Sequence, residues 1–140
     1  MASGERAGDP AADPRATYDY ELGEVARPGF VDDLESVVDG DVRFDEYSRS
    51  LYATDASAYQ RDPVGVVFPA DTADVAAVVR YCARRRVPVL PRGGGTSLAG
   101  QTVNEAVVLD FTRHMDAVVD VSPGPRRATA QAGAILGELN

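Results

Sequence analysis

The stretch VVFPADTADVAAVVRYCARRRVPVLPRGGGTSLAGQ, Val66 to Gln101, holds an apolar run closed by Pro69, a long periodic segment, a second apolar run and a glycine-rich loop. Val64-Gly65-Val66-Val67-Phe68 has the length and β-branched content of a buried strand, ended by a residue that cannot continue a ladder. In the periodic segment Val75, Val78, Val79 and Cys82 recur at i, i+3, i+4 and i+7, predicting a helix with Asp71 or Thr72 as N-cap. Cys82 lies on the buried stripe. It reads as a small apolar filler and not a reactive thiol, because no neighbouring base in sequence would lower its pKa. Arg84-Arg85-Arg86 falls in the last turn, where cations offset the negative end of the helix dipole. Val87-Pro88-Val89-Leu90 predicts the second strand.

The loop Pro91–Gln101 decides what the unit is for. A Walker A loop needs a lysine, and the chain has none, so Gly95 and Gly100 with Gln101-Thr102 behind them fail that pattern. The dinucleotide fingerprint fails too, since Leu98 stands where the third glycine belongs and the next element reads as a strand. What remains is an anion nest. Consecutive glycines turn several amides toward one point, and Thr96, Ser97 and Gln101 add donors without bulk or negative charge, which suits a pyrophosphate.

Outward from this stretch, residues 1–27 are rich in Ala, Gly, Pro and Asp without apolar period and read as a disordered acidic leader. Residues 28–63 form a lead-in. FVDDLESVVDG predicts a short helix stopped by Gly40, and DVRFDEYSRSLYATDASAYQRDP reads as extended or loop-like. Tyr47, Tyr52 and Asp55 within it read as packing and loop hydrogen-bonding residues. The main unit is 64–140. Val107–Phe111 and Ala117–Val121 predict strands split by a polar turn carrying His114, an exposed turn residue. ATAQAGA alternates like a strand and ILGELN begins a helix.

Composition bounds the function. The 140 residues are 44% hydrophobic and 26% charged, enough for one globular core or part of one. Twenty-two acids against fourteen bases, all arginine, give a net charge of −8, which argues against nucleic-acid binding. Lysine-free, aspartate-rich surfaces suit a salt-adapted protein. No apolar stretch reaches the length of a bilayer span, and the opening MASGERAGDPAADPRA has no signal pattern, so a cytoplasmic protein is expected. One cysteine and one histidine give no expectation of a disulfide or of a metal site.

Val66–Gln101, continued by VVLDFTRHMDAVVDVSPGPRRATAQAGAILGELN, resembles the flavin domain of the vanillyl-alcohol oxidase and p-cresol methylhydroxylase (PCMH) family. The lead-in YSRSLYATDASAYQ is similar to the segment preceding that domain in D-lactate dehydrogenase and glycolate oxidase FAD subunits. The resemblance implies an α+β fold, the first subdomain of a PCMH-type FAD-binding domain, incomplete at its C-terminus. It implies that Arg92, Gly93, Gly94, Gly95, Thr96 and Ser97, with Gly100 and Gln101, bind the FAD diphosphate largely through backbone amides. Gly133 is placed in a later loop near the cofactor. Thr96 stands where some relatives attach flavin through a histidine, so FAD is expected to be held non-covalently.

In that family the flavin takes a hydride from the hydroxyl-bearing carbon of a 2-hydroxy acid and passes electrons to an acceptor partner. The resemblance puts the substrate domain and the catalytic residues beyond Asn140, so the chain is expected to be a fragment inactive alone. Two other readings of the residues stand beside it. One is a flavoprotein like the UDP-N-acetylenolpyruvoylglucosamine reductase, and the other is a non-enzymatic nucleotide-binding or interaction module.

Overall fold

The computed structural model describes residues 21–139. Residues 1–20, most of the segment read as a disordered leader, lie outside them. The end of that segment is ordered instead: Leu22–Ala26 form a 3-10 turn, the Glu21 amide donates to the Arg86 carbonyl (2.9 Å), and Val25 packs on the core. One apolar side chain with a core face to cover orders the segment despite its polar surroundings.

Four short strands make the main sheet: β1 (Asp41–Arg43), β2 (Gly65–Phe68), β3 (Val89–Arg92) and β4 (Val107–Asp110), in the order β1-β2-β4-β3. β4 runs parallel to both its neighbours, and β1 is antiparallel on β2. Every residue of β2 and β4 is buried, the signature of central strands covered on both faces. Side chains alternate accordingly. Val67, Val107 and Leu109 meet Phe30 and Leu34 of α1 (Phe30–Glu35) and Val78 and Cys82 of α3 (Thr72–Arg84). Val66, Phe68 and Val108 fill the other face with Tyr52 and Leu90.

The lead-in is more structured than its weak periodicity predicts. It contributes β1 and a helix, α2 (Glu46–Leu51), whose N-cap Asp45 accepts from the Ser48 amide at 2.8 Å. β1 is too short, and α2 too exposed, to leave a hydrophobic period. α1 ends at Glu35, so Gly40 does not stop it. Gly40 lies instead under β2, where a Cβ would come within 2.0 Å of the Phe68 carbonyl oxygen. On α3 the buried face runs through Asp74, Val78, Tyr81 and Cys82, while Val79 is 44% exposed. β3 begins two residues later than predicted and carries Arg92 inside the strand. The last segment is a 3-10 turn, Leu136–Leu139, and not the start of an α-helix.

Asp71 caps α3 by accepting from the Ala73 and Asp74 amides. Asp74, 4% exposed, reaches back and accepts from the amides of Asp39, Gly40 and Ala70 at 2.8–2.9 Å. Burial alone would raise its pKa, but the three amides together hold the carboxyl below its ordinary value. Cys82 is wholly buried, and burial pushes its thiol up to about 11. The helix ends as a Schellman motif, with Val87 N–H on the Cys82 carbonyl and Arg86 N–H on that of Ala83. Arg86 occupies the left-handed position, φ 54°, that glycine prefers. Arg86→Gly is therefore expected to stabilise the chain by about 0.5 kcal/mol. Relief of a left-handed residue, about 1 kcal/mol, is offset in part by loss of the exposed Arg86–Glu21 contact and by a freer unfolded chain. A urea midpoint that rises for glycine and not for alanine is the expected result.

β5 (Val118–Ser122) and β6 (Arg127–Ala130) form a separate antiparallel hairpin. Val119 and Val121 are exposed on it, at 63% and 57%.

Candidate functional site

Parallel strands put their C-terminal ends on one edge, and in open α/β sheets that edge is where ligands sit. The glycine loop leaves β3 there. Arg92 pairs with Asp110 in register, and the Phe111 amide donates to the Arg92 carbonyl at 3.1 Å, closing the strand ends together.

Two cavities are bordered by Gly93, Gly94 and Thr96. One, of about 600 Å³, is lined by Gly93–Ala99 with Gln101 and Thr102. The other, of about 460 Å³, lies between Gly93, Gly94 and Thr96 on one side and Ala132–Gly137 on the other, with Thr112 and Asp116 at its border. Gly95 and Gly100 have φ of 67° and 75°, which L-residues rarely adopt. Gly95 also leaves no room for a side chain, because a Cβ would stand 2.6 Å from Arg92 Nη2.

Six consecutive amides are left for a ligand. Among the described residues, the N–H groups of Gly93, Gly94, Gly95, Thr96, Ser97 and Leu98 donate to no protein acceptor. Further along, a side chain satisfies two of the loop amides. The Ser97 hydroxyl donates to Gln101 Oε1 and accepts from the amides of Gln101 and Ala99, so Gln101 keeps its side-chain NH₂ for other partners. No acidic residue occurs from Pro91 to Asn104, so nothing in the loop itself opposes an anion.

The fold thus brings Gly93, Gly94, Thr96 and Gly133 to one cleft, with Gly95, Ser97 and Gln101 on the adjoining cavity. Gly133 sits tightly. Its amide donates to the Met115 carbonyl (2.8 Å), and a Cβ would meet the Phe111 carbonyl oxygen at 2.2 Å. Gly100 faces the ring of Tyr59, away from the other loop glycines. Arg92 lines neither cavity. Its Nη2 donates to the Thr54 carbonyl (2.8 Å) and its Nη1 to those of Thr102 (3.0 Å) and Tyr52 (3.4 Å).

The lead-in residues have the packing and hydrogen-bonding roles read for two of them. The Tyr52 hydroxyl donates to Asp110 Oδ2 at 2.5 Å, and its ring packs edge-on against Phe68. Burial raises the Tyr52 pKa, and the bond to Asp110 raises it further. Asp55 accepts from Ser57 N–H and from both the amide and hydroxyl of Thr102; the Ser57 side chain foremost, then these bonds, hold its carboxyl at about 2 against the opposing effect of burial. Tyr47 is exposed. Thr102, Asp110, Thr112 and Asp116 were missed by sequence reading, and only the glycine loop, which directly precedes β4 in sequence, signals that Asp110 ends on the same edge. His114 sits 3.9 Å from Asp41 of β1, at the sheet edge opposite β3.

Residues 63–140 match the FAD binding domain family. The chain is 35% identical over 130 residues to the D-2-hydroxyglutarate dehydrogenase of Pseudomonas putida, covering 91% of this chain and 12% of that protein. It is 33% identical over 106 residues to the glycolate oxidase subunit GlcD of Bacillus subtilis, covering 73% of this chain and 23% of that one. The crystal structure of p-cresol methylhydroxylase with substrate bound superposes with a TM-score of 0.64 at 16% identity, covering 86% of this chain and 24% of that chain. The α+β fold is therefore the PCMH-type one, and the chain spans an eighth to a quarter of the relatives it matches. With a family match across more than half of its length and the glycine loop inside it, this chain belongs to the FAD binding domain family, with FAD as its cofactor.

Proposed function

We propose that the chain supplies the diphosphate-binding part of a flavin-dependent oxidoreductase that oxidises a 2-hydroxy acid. The observation that carries this reading is the run of amides from Gly93 to Leu98 without protein acceptors, at the C-terminal edge of parallel strands. The residues fit the group: the loop has bare backbone, two left-handed glycines and no carboxylate of its own. In this reading those amides hold the diphosphate oxygens, with the Gln101 amide group beside them. Gly93, whose Cβ would face the Ala132 carbonyl across the cleft, keeps the passage open for the cofactor, and Gly133 lets the opposite wall pack close against Phe111 and Met115. Bound FAD supplies the two-electron acceptor that oxidation of a hydroxyl-bearing carbon requires. Thr96 offers the loop no imidazole and His114 lies at the far edge of the sheet, which supports non-covalent attachment. The names of the relatives, D-2-hydroxyglutarate dehydrogenase and glycolate oxidase subunit, support a 2-hydroxy acid as substrate class. The residues that select the acid and the electron acceptor belong in this reading to a larger assembly, and the chain alone does not turn over substrate.

Titrating the full chain with FAD, followed by flavin fluorescence and thermal unfolding, tests the reading. Saturable binding with a rise in midpoint is expected, because a ligand of the native state stabilises it by mass action. Gly95→Val should weaken that binding at least about tenfold, since a β-branched residue tolerates neither the backbone angle nor the guanidinium behind it. A folded chain whose stability and flavin signal ignore FAD would overturn the proposal.

A further inference from the structure

Arg92 is the only cation between Pro91 and Asn104, and by charge it is the obvious phosphate ligand of the loop. Its geometry says otherwise. The two Nη atoms are directed at three carbonyls, those of Tyr52, Thr54 and Thr102, and the guanidinium carbon stands 5.0 Å from the centre of the Tyr52 ring. Gly95 lies against the same guanidinium, and its carbonyl accepts from the Ala56 amide at 2.9 Å. At the other end of the loop Asp55 holds Thr102 through its hydroxyl, at 2.9 Å. Both ends of the loop are therefore fastened to residues 52–56, which lie outside the residues 63–140 that match the family.

We infer that Arg92 is a positioning residue: it fixes the glycine loop on the 52–56 segment and acts on the diphosphate through the loop amides, not with its own charge. This rests on the flavin reading above. Arginine is required because a rigid planar fork satisfies carbonyls in several directions at once, whereas a lysine ammonium on a flexible stem cannot hold the same three. A carbonyl that loses its donor in this half-buried place is left short of a partner, and the loop loosens.

The test uses the full chain with Arg92→Lys and Arg92→Ala, reading FAD affinity at low and high salt and amide exchange at Ala56 and Thr102. Both variants should lose affinity by about tenfold or more and by similar factors, with the salt dependence of the wild type. Exchange at Ala56 should quicken in both. Millimolar guanidinium should restore the alanine variant in part and leave the lysine variant unchanged. A lysine variant that binds FAD like the wild type overturns the inference, as does an alanine variant with a flattened salt dependence, because either result makes the charge a direct ligand. Should the alanine variant not fold, the lysine variant decides alone. A wild-type chain that ignores FAD removes the flavin reading, and the fastening is then judged on exchange: unchanged protection of Ala56 in the lysine variant overturns it, and faster exchange upholds it.

Discussion

Gly133→Ala is expected to destabilise the chain by about 3 kcal/mol and to lower its thermal midpoint by roughly 10 °C. The new methyl would stand 2.2 Å from the Phe111 carbonyl oxygen, 2.5 Å from its carbon and 2.9 Å from the Met115 oxygen. All three atoms are backbone, so no rotamer change relieves the overlap. The chain must move at Phe111, directly after the buried strand β4, or give up the bond from the Gly133 amide to Met115. Either movement displaces Thr112 and the Ala132–Gly137 wall of the smaller cavity, so FAD binding should weaken along with stability. Gly137→Ala is the control. Its Cβ meets nothing within 4 Å, and its stability should stay within about 0.5 kcal/mol of the parent. A Gly133→Ala variant as stable as that control would show that the segment yields freely and that the cleft wall is soft.

The second large effect belongs to Asp74. Asp74→Ala leaves the amides of Asp39, Gly40 and Ala70 without an acceptor at a half-buried junction and should cost about 3–5 kcal/mol. Asp74→Asn retains one carbonyl oxygen but turns an NH₂ toward the remaining donors, so about 2–3 kcal/mol is expected. The sign with pH follows from a carboxyl whose folded pKa lies below its unfolded value of about 4. Its contribution is fully present above pH 4 and is lost as pH falls through the folded pKa. Denaturant midpoints measured from pH 7 down to pH 2 should therefore converge for parent and Asp74→Asn at the acid end. Curves that stay parallel throughout would mean that the carboxylate charge contributes nothing to the junction.

Much of this fold was legible where periodicity was strong. The stripe of α3 and the apolar runs of β2 and β4 declare themselves because each buries a regular set of side chains. The errors sit where long-range contact overrides local pattern. Val79 has the right spacing but faces water, since Tyr81 and Asp74 draw the buried face around the helix. Gly40 looks like a helix stop, yet it is glycine because β2 passes over it, and no local signal carries that. The 3-10 turn at Leu22–Ala26 likewise depends on one valine finding the core. For the candidate site the glycine spacing and the lack of acids are sequence properties, and they carry the expectation of an anion nest on which the proposed function rests. The role of Arg92 was not legible, because the three carbonyls it serves come from residues ten and about forty positions away, brought in by the fold.

The position of β4 between β2 and β3 also affects synthesis. β2 and β3 each have an edge that β4 covers, and β4 follows β2 by about forty residues, roughly 2–8 s of ribosomal elongation. During that interval Gly65–Phe68 is an uncharged, valine-rich edge open to any other nascent chain. Pro63 and Pro69 bracket it, and in β3 Pro88 stands just before the strand and Pro91 inside it. A proline offers no N–H to a foreign strand, so a mispaired ladder cannot lengthen past it. The prolines at and within the strands of the finished sheet thus serve as guards while the sheet is still half made.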